Sequence, residues 1–289
     1  MNVLGMKLRW INTQCYQIVL PDGTVILTDP TIRPPRADKP QYEKLKVPNF
    51  KLEDLGRVDY VIISHTHFDH IPDVGSVFEM YHPLIIAHYG CARELGEFFN
   101  IPFTYIYPVE FDGRYEFGEF ALQTFHGRHN PRANGRPHDT FDAARDIYDG
   151  LDGDTFSLSK MGDLYNINFA ILTKENYRIG FGAGADDANL KEKWRGFGLN
   201  VLLRFVTGVT KNTDFVSVVE SAADWMKISG AQIMLPMHHE AMYHNNPEDV
   251  NKYVDLVNRK MEQEGYQGRM FNPDQCKWVQ IGMTIEKEC

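Results

Sequence analysis

The stretch Val58 to Ser64, VDYVIIS, constrains this chain more than any other. It is a largely apolar run of strand length, and such runs mark strands buried on both faces, which form where helices cover a sheet. Further strand-like runs occur at Leu84–Ala87, Phe103–Tyr107, Phe120–Phe125, Ile167–Thr173, Tyr177–Phe181, Val201–Phe205, Ile233–Pro236 and Trp278–Ile281. The first thirty residues open as a meander, with Leu8–Ile11, Tyr16–Leu20, a Pro21-Asp22-Gly23 turn and Thr24–Thr28. Helical patterns alternate with the strands. Lys51–Leu55 predicts a short helix. In Asp214–Ser229, capped by Thr213 or Asp214, the residues Val216, Val219, Ala223 and Met226 recur at helical spacing. Pro247–Glu264 places Val250, Tyr253, Val254, Val257 and Met261 on one side, with Asn246 before it as cap. Strands interleaved with helices predict an α/β layered fold, and two β-rich halves that each trail helices suit a duplicated sandwich.

With 289 residues, 43% of them hydrophobic and 24% charged, the chain has the composition of an ordinary globular protein. We read residues 1–289 as a single domain with an insertion at 130–165, where the sequence is rich in Asp, Arg and Gly and lacks long apolar runs. Thr31–Pro48 holds four prolines among charged residues and reads as a surface loop, suited to a lid or to a contact in a homo-oligomer. A net charge of -9 disfavours nucleic acid and anionic membranes as partners and leaves a small-molecule substrate, expected to be anionic and received in a local basic pocket. Lys7, Arg9, Asn12 and Gln14 interrupt the N-terminal apolar residues before a leader or membrane span develops, which predicts a cytoplasmic protein. Cys15, Cys91, Cys276 and Cys289 form no CxxC pair and read as free thiols.

The chemistry follows directly after the buried strand, in Ser64-His65-Thr66-His67-Phe68-Asp69-His70-Ile71-Pro72. Four metal-competent side chains fall within six positions. On an extended exit from a strand, His65 and His67 project to the same side and can share one ion. Asp69 and His70 come where the chain turns into a helix that Pro72 can begin, so they can reach a second ion nearby.

This His-x-His-x-Asp-His pattern after a hydrophobic strand resembles the metallo-β-lactamase superfamily. The resemblance implies a four-layer αββα sandwich with a dinuclear metal site at one edge of its sheets. The superfamily's oxygen-reducing branch carries a carboxylate where this chain has His67, and that difference favours the hydrolases. The third ligand of the first ion is expected about a dozen positions after a Gly-acid turn. From Gly118-Glu119 that count reaches His129, with His126 as the competitor and the loser left behind the ligands or at the substrate. A bridging carboxylate is expected in a turn after Ile179–Ala185, where Asp186 is the match and Asp187 the alternative. The last ligand follows the late strand Ile233-Met234-Leu235-Pro236-Met237, as His238. His239, pointing the other way, becomes a core, supporting or substrate histidine. Asp29 matches an early aspartate that braces the metal loop. His82, His88, His138 and His244 carry no such context, and a surface or packing role is expected.

Val201–Glu240, with its Gly208 loop and its Leu235-Pro236-Met237-His238-His239 ending, is similar to the L-ascorbate-6-phosphate lactonase group within the superfamily. That likeness implies opening of a lactone or carboxylic ester of a small, phosphorylated sugar acid. Arg204 and Lys211, then Arg128 and Arg132, are the candidate cations for its phosphate. The cofactors implied are two divalent transition-metal ions, zinc, manganese or iron, which the ligand types do not separate. A metal-activated hydroxide would be the nucleophile, oriented or deprotonated by Asp69 as the catalytic residue. No Gly-x-Ser-x-Gly elbow offers a serine route. The rival readings are a phosphodiesterase acting on a small phosphodiester and a non-catalytic metal or ligand sensor.

Overall fold

A computed structural model of the chain describes residues 5–32, 50–67, 69–128, 165–184, 188–206, 215–239 and 247–282. Their strands fill two seven-stranded sheets, one from each half of the chain. Met6–Asn12 (β1), Cys15–Val19 (β2), Val25–Thr28 (β3), Tyr60–Ile62 (β4), Leu84–His88 (β5) and Ile106–Val109 (β6) lie side by side in sequence order. Arg114–Glu116 (β7), Phe120–His126 (β8), Ile167–Thr173 (β9), Arg178–Gly182 (β10), Val201–Phe205 (β11), Ile233–Met237 (β12) and Arg269–Met270 (β13) make the second sheet, also in sequence order. Val279–Ile281 (β14) returns to pair with β1. Each half starts antiparallel and continues parallel, from β3 to β6 in the first and from β10 to β13 in the second. Parallel connections need crossovers, and helices supply several of them: Val74–Tyr81 (α1), Tyr89–Phe99 (α2), Ala188–Lys193 (α3), Phe215–Ser229 (α4) and Pro247–Gln263 (α5).

Three apolar cores separate the layers. Alternation along β4 sends Ile62 into the space between the sheets, where it joins Leu8, Trp10, Ile18, Leu122, Phe169, Leu203 and Leu235, while Val61 and Ile63 face α1 and α2. In β11, Val201 and Leu203 face the other sheet and Leu202 faces Ala223, Met226, Val254 and Val257 from α4 and α5. Helix, sheet, sheet, helix is therefore the layer order, the αββα sandwich that the motif's resemblance implies. A strand buried on both faces requires this arrangement. Tyr16 ties the halves together inside the core, its hydroxyl donating to Pro236 O at 2.6 Å.

Several local expectations shift. The strand expected from Phe103 begins at Ile106, because Pro102 opens a 3-10 turn over Phe103–Tyr105 in which Tyr105 N donates to Pro102 O. Only Tyr60–Ile62 of Val58–Ser64 pairs as strand. Lys51–Leu55 supplies one 3-10 turn, Leu52–Leu55. The helix expected from Pro72 starts at Val74, after Asp73, whose carboxylate is engaged by Ile32 N. Val216 is 60% exposed, so the buried face of α4 begins at Val219. The two short strands β7 and β13 were not apparent from the sequence, having too few residues to show a period. Cys15, Cys91 and Cys276 are free thiols. Cys289 and most of the expected insertion at 130–165 lie outside the described residues, as do Asn246 and the helix-capping positions Thr213 and Asp214.

Candidate metal centre

The topology brings the C-terminal ends of β3, β4, β5, β8, β10, β11 and β12 to one edge, and the chemistry-bearing side chains come off those ends. Asp29 follows β3, the His65 loop follows β4, His126 ends β8 and His238 follows β12. Two of these residues sit in left-handed backbone, Asp29 at φ 36° and His238 at φ 55°, as does their neighbour Thr13 at φ 39°. A non-glycine residue holds that conformation only where its surroundings fix it, and such residues gather at functional sites. Here the fixing contacts are visible. Asp29 N donates to Ile62 O, and His238 N donates to Thr13 O at 2.8 Å.

The loop after β4 folds back on itself and is almost completely buried. His70 N donates to His67 O, and the Asp69 carbonyl accepts from Thr31 Oγ1 at 2.6 Å and Thr13 Oγ1 at 3.3 Å. Asp73 N donates to Pro30 O, so the segment after Asp29 is laced to the loop along its length. The rings of His65 and His67 meet at 4.5 Å between centroids, those of His65 and His70 at 3.9 Å, and those of His70 and His238 at 5.7 Å.

Proton accounting fixes which nitrogens face the cluster. Asp29 is an acceptor, so at 2.8 Å from its Oδ2 the His70 Nδ1 carries the proton and donates. Ser64 Oγ gives its one proton to the same oxygen at 2.5 Å, and Ser64 N donates to Oδ1 at 2.7 Å. With that proton committed, Ser64 Oγ can only accept from His65 Nδ1, 3.0 Å away. The Nε2 atoms of both His65 and His70 are thereby left as bare lone pairs, the form that binds a metal.

Asp69, His70 and His238 offer ligand atoms that all lie within 4.8 Å of one another. Asp69 Oδ2 is 3.3 Å from His238 Nε2 and Oδ1 is 3.7 Å from His70 Nε2. Oδ1 is buried and has no hydrogen-bond partner. A carboxylate oxygen sealed from water without a donor is costly unless a cation completes its environment, so the residues fit a metal. Burial alone would raise the Asp69 pKa, but with no cation bound the positive charge that His70, His238 and His67 carry when protonated outweighs it and holds the carboxyl below the usual range.

Other expected site residues fall as follows. His126 stands at the end of β8, half-buried, its ring 4.3 Å from that of Phe111. His239 is buried against Trp10, with ring centroids 4.0 Å apart. Arg204 was expected to meet a substrate anion. The structure buries it on the helix side of its sheet, where Nη1 donates to Gly182 O at 2.7 Å and Gly184 O at 3.0 Å and the guanidinium lies over Trp225. Its position in β11 explains the difference: even-numbered residues of that strand face the helices. Arg128 bridges to Gly184, joining the chain just before position 129 to the chain just before 185–187. His129, Asp186, Asp187, Lys211 and Arg132 lie outside the described residues. Sequence reasoning missed Ser64, Thr13 and Thr31. Ser64 had a signal, its place beside the first histidine; the two threonines had none, because a backbone carbonyl is their target.

The profile of the Beta-lactamase superfamily domain matches residues 24–145. A UPF0173 metal-dependent hydrolase of Koribacter versatilis is 31% identical over 96 residues, a stretch that covers 33% of this chain and 35% of that protein. A UPF0173 metal-dependent hydrolase of Anoxybacillus flavithermus is 28% identical over 196 residues, covering 62% of this chain and 83% of that protein. The match thus spans about a third of the length of the first relative and most of the second. Among solved structures, a metallo hydrolase from Ignicoccus hospitalis superposes with a TM-score of 0.62 at 15% identity, over 97% of this chain and 100% of that one.

Proposed function

We propose that this chain, which has the metallo-β-lactamase fold, is a metal-dependent hydrolase that opens a lactone or carboxylic ester of a small sugar acid. The observation that carries the reading is the convergence of Asp69, His70 and His238, with the Asp69 Oδ1 atom buried and without a hydrogen-bond partner. The relatives named as metal-dependent hydrolases support it.

His65, His67 and His129 would hold one divalent ion and Asp69, His70 and His238 the other, with Asp186 between them. Bound there, divalent transition-metal ions supply Lewis acidity and bring the pKa of water toward neutrality. The chain's own residues do the rest. Asp29 and Ser64 hold the His70 and His65 rings with Nε2 presented. Asp69 can accept the proton of an attacking water or orient it. The tight hydrogen bonding of the loop keeps these groups from reorganising as charge develops.

The lactone assignment rests on the likeness of Val201–Glu240 to the ascorbate-phosphate lactonases. With Arg204 engaged inside the fold, Lys211, Arg128 and Arg132 are the remaining cations for an anionic substituent. Metal-reconstituted protein assayed on a lactone and ester panel beside a phosphodiester panel tests the reading. Turnover confined to the first panel is expected; turnover confined to phosphodiesters moves the function to a phosphodiesterase, and none on either removes the hydrolase.

A further inference from the structure

His88 ends β5, one strand from the loop that carries His65. The two strands are parallel with Ile62 opposite Ile86, and Ile63 N donates to Ile86 O. Ile85 and Ala87 face the helices and Ile86 faces the space between the sheets, so alternation sends His88 into that same space at the metal-bearing edge. Phe120 and Leu122 give His126 the same direction from the opposite sheet. Phe111 stands between them, 4.2 Å from the His88 ring and 4.3 Å from that of His126, and Tyr165 stacks on His88 at 4.5 Å with 14° between planes. Tyr89 beside them is 54% exposed while His88 itself is buried, so the ring lies just beneath the surface.

His88 Nδ1 accepts the Gly90 N–H at 3.1 Å, capping α2. A nitrogen that accepts carries no proton, and a neutral imidazole then has its proton on Nε2. Neutrality follows from burial, which with the nearby His126 pushes the His88 pKa down to about 4. Nε2 is buried with no hydrogen-bond partner. Capping α2 would need only the other nitrogen, and an orphaned buried donor forfeits its full desolvation unless something completes the bond.

We propose that His88 Nε2–H is a substrate-binding donor that receives an uncharged oxygen acceptor, the carbonyl or a hydroxyl oxygen of the ester or lactone, beside the metal loop. The inference rests on the hydrolase reading for its substrate class. Its tautomer is set by the helix cap and its ring is held against Phe111 and Tyr165, so the donor is oriented before substrate arrives.

Two variants separate binding from capping. His88→Asn keeps an oxygen where Nδ1 accepted from Gly90 and loses the outer donor; His88→Gln places an amide N–H where Nε2–H stood. On the lactone that wild type turns over, His88→Asn is expected to raise KM about tenfold with metal content and melting temperature unchanged, and His88→Gln to restore most of that loss. Equal KM values for wild type and His88→Asn overturn the proposal. Independently of turnover, nitrogen-15 NMR of zinc-loaded wild type is expected to show His88 as the Nε2–H tautomer, with that signal shifting on addition of 2-pyrrolidinone, a slow-reacting lactam analogue of a lactone. The Nδ1–H tautomer, or a signal unmoved by saturating lactam, overturns it. Absence of any ester or lactone turnover in wild type sinks the ester or lactone reading, and the NMR result still decides the role of His88.

Discussion

Asp29 Oδ2 lies 2.8 Å from His70 Nδ1, with both side chains sealed from solvent. Through Ser64 the same carboxylate also sets His65, so one carboxylate governs the tautomers of two histidines of the loop. Asp29→Asn replaces an acceptor with an amide whose N–H meets the His70 Nδ1–H. Metal affinity, measured by competition with a chromophoric chelator, is expected to fall about 10- to 100-fold with the fold intact. Unchanged affinity would mean that the histidines are oriented by something else.

Gly184 lies at φ 92°, where its missing Cβ would collide with Arg128 O. Gly184→Ala is therefore expected to cost about 1–3 kcal/mol or more in urea unfolding, because the left-handed strain and the collision act together. An effect below about 0.5 kcal/mol, the usual size of a surface change, would show that the Arg128–Gly184 bridge is not needed.

Arg204→Met removes the donor that Gly182 O and Gly184 O share and leaves an apolar chain over Trp225. Two buried carbonyls then lose a charged partner, for an expected loss of roughly 2–4 kcal/mol in stability. Any rise in KM should be equal for a phosphorylated lactone and its unphosphorylated analogue. A selective rise for the phosphorylated one would return Arg204 to the substrate.

The depressed His88 pKa, about 4 against an ordinary 6.5, has a definite sign. Between those values the unfolded chain binds a proton that the folded chain refuses, so this residue's contribution to stability is complete above pH 6.5 and shrinks as pH falls toward 4. Denaturant unfolding at several pH values is expected to show wild type losing more stability over that window than His88→Gln. Parallel curves would mean that His88 titrates normally.

The layer order and the His- and Asp-rich loop were legible because each has a short-range signature. A doubly buried strand leaves an apolar run such as Val58–Ser64, and metal-competent side chains cluster in sequence as His65, His67, Asp69 and His70 do. What stayed hidden depends on the third dimension. Which face of β11 carries Arg204 follows from its register against β10 and β12, and a cation next to a Gly-rich loop reads the same whether it faces substrate or a helix. His88 reads as an unremarkable strand-end histidine until Phe111 and Tyr165, distant in sequence, are seen against its ring. Strand β7 has three residues and β13 two, too few for a period of two to register.

The central claim is that this loop and His238 build a metal centre that works in hydrolysis, and elemental analysis of the folded, metal-saturated and dialysed protein tests it most directly. About two equivalents of a divalent transition metal per chain are expected, falling by about one in Asp69→Asn. A well-folded wild-type protein that retains no transition metal, or an Asp69→Asn variant that retains as much as wild type, would contradict it.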